Sequence, residues 1–226
     1  MIAISRALLV LAVALCALSA RAQTPPSPAE IAAYRGLPAA IIRGDAAGVA
    51  ALARDPTAIE RRDGNGRRPL HLAAFQRRPD FVKLLMSLGA DPDALDAQRY
   101  DAVTIAAVND DEATLDALLR AGASAKLVTS PYDGTALIAA AHLGHDGVTR
   151  RLIAAGAPLD HVNNLGWTAL IEAVVLGDGG PRHVATVKAL VEAGARRDLA
   201  DRQGATPLAL AERRGYAVMV AILRGP

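Results

Sequence analysis

Asp63-Gly64-Asn65-Gly66-Arg67-Arg68-Pro69-Leu70-His71-Leu72-Ala73-Ala74, followed by Phe81-Val82, Leu84-Leu85 and Gly89-Ala90, is the stretch whose reading decides the fold. Asp63 and Gly66 suit a tight turn, because glycine accepts positive φ and aspartate bonds its own backbone. Pro69 is placed to open a helix at its first position. The Ala73-Ala74 pair lets a neighbouring helix approach closely. Phe81, Val82, Leu84 and Leu85 form the apolar stripe of a second helix, and Gly89 is a left-handed stop after it.

The pattern recurs along the chain. Its leucine position is filled by Leu37, Leu70, Val103, Leu137, Leu170 and Leu208, at steps of 33, 33, 34, 33 and 38 residues. A period near 33 marks a stacked repeat array. Gly-Ala returns at Gly122-Ala123, Gly156-Ala157 and Gly194-Ala195, and alanine pairs return at Ala106-Ala107 and Ala140-Ala141. Thr135, Thr168 and Thr206 stand where a helix N-cap hydroxyl is wanted, and Asp101 can replace it in repeat three. The apolar stripe reappears as Leu115/Leu118/Leu119, Val148/Leu152/Ile153 and Val187/Leu190/Val191. One repeat alone cannot bury such a stripe, so stability comes from stacking.

These motifs resemble the ankyrin repeat, with its Thr-Pro-Leu-His turn and late Gly-Ala pair. The resemblance implies an all-α solenoid of about six helix-turn-helix units with short hairpin loops, spanning residues 30–226. The repeats fall at about 30–62, 63–95, 96–128, 129–162, 163–200 and 201–226, the outer two being caps. Repeat four carries one extra residue in its opening loop, between Thr129 and Gly134. Repeat five gains five residues at Gly177-Asp178-Gly179-Gly180-Pro181-Arg182-His183, between its two helices.

Residues 1–22 are expected to be a signal peptide: Arg6, an apolar run Ala7 to Leu18, and small residues Ala20 and Ala22 at a cleavage site. The run is too short for a stable membrane span, so none is expected in the mature chain. Residues 23–29, with Pro25, Pro26 and Pro28, read as a flexible leader. The whole chain carries 25 basic and 23 acidic residues. Loss of Arg6 and Arg21 leaves 23 of each, a neutral mature protein. The arginine pairs are interleaved with carboxylates, so no nucleic-acid partner is expected. Cys16 is the only cysteine and leaves with the signal, which removes disulfides and thiolate chemistry. Abundant Ala and Arg with three Lys point to a bacterium of high GC content, and hence to a periplasmic monomer.

Chemistry is sparse. His142 and His145, three apart, can share a helix face and raise a metal site as an alternative. His71 and His145 also have structural readings, as partners of loop backbone. Asp110-Asp111-Glu112 reads as the start of a second helix, where negative charge favours the dipole. The Gly177–His183 loop raises an anion cradle, but it lacks the lysine and spacing of a phosphate-binding loop. The sequence implies no cofactor and no enzyme.

The resemblance further implies binding through hairpin tips and the exposed, concave face of the first helices. On that basis the partner-contacting residues are Arg67, Phe75, Tyr100, Tyr132, His142, Trp167 and Arg213. Tyr and Trp at hairpin bases have a second reading, packing against the next repeat, and it stays open for Tyr100 and Trp167. The expected function is a periplasmic protein-binding scaffold. Resemblance to exported bacterial ankyrin proteins suggests service to a periplasmic enzyme, the alternative being an immunity-type binder that neutralises a toxin or hydrolase.

Overall fold

A computed structural model describes residues 23–225. The expected signal peptide, residues 1–22, and its Cys16 lie outside the described residues. Fourteen helices are present among those described: α1 Pro28–Ala33, α2 Gly36–Arg43, α3 Ala46–Leu52, α4 Pro56–Ile59, α5 Pro69–Phe75, α6 Pro79–Ser87, α7 Ala102–Val108, α8 Glu112–Arg120, α9 Ala136–Leu143, α10 Asp146–Ala154, α11 Ala169–Val175, α12 Pro181–Glu192, α13 Pro207–Arg214 and α14 Ala217–Arg224. Six helix pairs, α2/α3 through α13/α14, form the repeats. Their first helices pack in one row, α2 to α5, α7, α9, α11 and α13, and their second helices pack in another.

Local chemistry sets each unit. Asp63 Oδ1 accepts from the Asn65 and Arg67 amides (2.8 and 2.9 Å), and Asp96, Asn163 and Asp201 repeat the pattern at the same spacing. Each hairpin then closes by a backbone bond four residues apart, such as Asp63 N to Arg67 O (2.9 Å). In repeat four the extra residue stretches that bond to Thr129 N and Gly134 O (2.7 Å), and Ser130 Oγ takes over the turn role. Successive tips are joined by Asn65 O to Ala97 N and Tyr132 O to Asn164 N, 2.9 Å each.

Asp101, Thr135, Thr168 and Thr206 each accept from the amide three residues on. Where repeats one, four and six end the first helix with left-handed Gly44, Gly144 or Gly215, repeats two and three force Arg77 and Asp110 to positive φ.

The core is a continuous column. Ala73-Ala74, Ala106-Ala107 and Ala140-Ala141 are fully buried, as are Leu85, Leu118, Leu152 and Leu190. Each such leucine contributes roughly 1.5–3 kcal/mol of apolar burial. His71 acts across the stack: Arg68 N donates to its Nδ1 (3.1 Å), which leaves Nε2–H to donate to the Tyr100 carbonyl of the next repeat (3.2 Å). His145 Nδ1 likewise reaches the Ala107 carbonyl (2.9 Å).

The leader differs from its expectation. Thr24, Pro25, Pro28 and Ala29 are exposed, but the segment is anchored at points: Pro26 is buried, Ser27 caps α1 in a capping box with Glu30, and the Thr24 carbonyl accepts from Arg67 (3.3 Å).

Candidate functional site

The surface formed by the hairpin tips and the first-helix row carries four of the expected contact residues. Phe75 at the end of α5, Tyr132 at a tip and His142 in α9 are half-buried, and Arg213 in α13 is exposed. Gln76, Asn65, Gln98 and Gln203 are exposed around them.

Arg67, Tyr100 and Trp167 are corrections. They retain only 3%, 5% and 8% of their exposure. All three occupy the hairpin-closing column, three residues before the repeat leucine, and Gly134 and Ala205 in the same column are buried too. The carbonyl of that column accepts the bond that closes each turn, which turns the side chain under the loop. The packing reading therefore holds for Tyr100 and Trp167. Arg67 instead ties the N-terminus to repeat two: Nε meets Asp63 (2.8 Å), and NH2 meets Glu30. Tyr34 Oη also donates to Asp63 (2.6 Å). Burial opposes ionisation of Asp63, but the bonds from Tyr34 and Arg67 outweigh it and hold the carboxyl below its usual range.

The metal alternative meets competing partners. His145 is committed to the Ala107 carbonyl, and His142 Nδ1 lies 3.2 Å from Glu172 Oε2. Among the described residues no three His, Cys, Asp or Glu groups gather as a metal set. In the Gly177–His183 loop the carboxylate of Asp178 accepts from Gly180 N (2.8 Å) and sits 2.9 Å from His183 Nδ1. The loop thus supplies its own anion. It also braces four repeats, with Arg182 on Asp110 (2.7 Å), His183 Nε2 on the His142 carbonyl (3.0 Å) and Tyr216 Oη on the Gly177 carbonyl (2.9 Å). Asp111 caps α8 and Glu112 opens it, as the acidic cluster implied.

One pocket of about 80 Å³ opens among repeats three to five, lined by Tyr100, Thr104, Val108, Thr129, Tyr132, His142, Leu143, Asn163, Leu165 and Glu172, together with Gln23 of the leader. Glu172 is 4% exposed, and Asn163 Nδ2 donates to its Oε1 (2.9 Å). Sequence reasoning missed this residue, although a signal existed. Its column in the other repeats holds Leu72, Ile105, Ala139 and Leu210, so a carboxylate there is out of pattern.

The sequence profile described as "Ankyrin repeats (3 copies)" matches residues 103–196, and the single "Ankyrin repeat" matches 65–97. Ankyrin repeat protein YahD from Escherichia coli is 34% identical over 162 residues, covering 71% of this chain and 80% of YahD. The crystal structure of an ankyrin repeat domain from Acinetobacter baumannii superimposes with TM-score 0.78 at 38% identity, covering 83% and 95% of the two chains. One chain of the complex between the Bdellovibrio bacteriovorus endopeptidase Bd0816 and immunity protein Bd3460 shares the fold, with TM-score 0.70, 24% identity and coverage of 84% and 97%. This chain belongs to the ankyrin-repeat family, whose arrays are non-catalytic protein-interaction scaffolds. No described helix is long and apolar enough to cross a membrane.

Proposed function

We propose that the protein is a periplasmic scaffold that binds a protein partner along its inner face, through Phe75, Tyr132, His142 and Arg213, and that it assists or regulates a periplasmic enzyme. The observation that carries the binding reading is the alignment of these side chains on the tips and first helices of repeats two, four and six. Preformed stacking limits the ordering cost of association, and aromatic and arginine side chains dominate interface energies. Export rests on Arg6, the Ala7–Leu18 run and Ala20-Arg21-Ala22.

Two experiments test this. Crosslinked capture from periplasmic extract, with Phe75, Tyr132, His142 and Arg213 together changed to alanine, is expected to lose the partner seen with the parent protein; unchanged capture refutes the surface. Fractionation with mass determination is expected to find a chain beginning at Gln23 outside the cytoplasm, and retention of residues 1–22 refutes export.

A further inference from the structure

The pocket over Glu172 is chemically one-sided. Besides the phenols of Tyr100 and Tyr132, its titratable lining consists of Glu172 and His142, and no lysine or arginine lines it. The carboxylate is held by a neutral amide and a histidine, while Val108, Leu143, Leu165 and the tyrosines make the walls. A carboxylate so enclosed attracts a cation strongly, because little water screens it. Gln23, which also lines the pocket, fits it poorly. Neither its Oε1 nor its Nε2 finds a hydrogen-bond partner, although both are buried, and an enclosed polar group without a partner is costly. The segment behind it is seated, with Thr24 on Arg67 and Pro26 buried. A segment outside any helix therefore already lies on this face, with an uncharged and unpartnered side chain in the pocket.

We propose that this pocket receives a lysine or arginine side chain from an extended segment of the partner protein, and that residues 23–26 are an intramolecular placeholder which that segment displaces. The inference rests on the binding function above and names the chemistry of the partner. A placeholder tethered a few residues away acts at high effective concentration, so the poor fit of its side chain is what makes displacement feasible. A chain processed at Gln23 adds an α-ammonium there, so all variants are compared with the same N-terminus.

The probes are three acetylated and amidated peptides: Lys-Thr-Pro-Pro-Ser and its Gln-first and Glu-first counterparts. On the purified protein the Lys peptide is expected to bind about tenfold tighter than the other two, a margin of about 1.4 kcal/mol. Glu172→Gln keeps an acceptor for Asn163 and is expected to erase that preference. Gln23→Lys is expected to weaken the Lys peptide about tenfold, by filling the pocket from within, and to raise the melting temperature only while Glu172 is present. Equal binding of the three peptides overturns the proposal, as does an undiminished Lys preference in Glu172→Gln, or absence of binding even to Gln23→Gly. Partner capture that survives Glu172→Gln but fails in the four-alanine variant overturns the pocket assignment and leaves the inner-face reading standing.

Discussion

Asp101→Asn should stabilise the protein at neutral pH, although it removes a charged helix cap. Asp101 is almost wholly buried, and burial is the main reason its carboxyl is pushed up to about 6 from an ordinary 3.8, against the lowering effect of its bond from Thr104. Between those two pH values the folded chain holds a proton that the unfolded chain has released. Stability from this group is thus present below about pH 4 and lost as pH rises through about 6. At 1.36 kcal/mol per pH unit the penalty standing at pH 7 is about 3 kcal/mol. Asparagine is as good an N-cap as aspartate and can still accept the Thr104 amide, now 2.8 Å away, without carrying charge into the stack. Urea denaturation of both proteins from pH 4 to 7.5 tests this. The difference between them should widen by about 2.5 kcal/mol across the range, since a small part of the penalty is already present at pH 4, and the comparison cancels the histidine contributions common to both. A constant difference would show that the carboxylate is not desolvated as argued.

The histidines act in the opposite sense. Burial lowers the pKa of His71 and His145, so the unfolded chain takes up protons first and stability should fall as pH drops below about 6.5; His71→Gln, followed by the same titration, should flatten that slope. Arg67→Ala leaves the Asp63 carboxylate without its guanidinium and unseats Thr24 and Glu30, so a loss of about 3 kcal/mol is expected in chemical denaturation. Arg182→Ala breaks its links to Asp110 and Asp146, yet Arg182 is 54% exposed. Its loss should cost less than about 1 kcal/mol and be masked by salt.

Periodicity and turn chemistry are short-range properties, and they made the repeat units legible. The Thr135, Thr168, Thr206 and Asp101 caps, the Asp63 and Asp201 turns and the extra residue of repeat four all depend on partners within five residues. The candidate surface was less legible. Phe75, Tyr132, His142 and Arg213 keep some exposure, whereas Arg67, Tyr100 and Trp167 look equally variable in sequence but lie beneath the loops.

The chain by itself determined that six units stack, where the Asp101, threonine and proline signals open first helices, and that apolar stripes must meet across neighbours, because a period near 33 residues repeats the same local physics. The short helices α1 and α4 lie outside those repeated pairs. Only the tertiary structure decided which column faces solvent, which histidine bridges which repeat, and that Gln23 lies beside Glu172. Those relations join residues roughly 30 to 150 positions apart, and no local pattern encodes a distance that stacking alone creates.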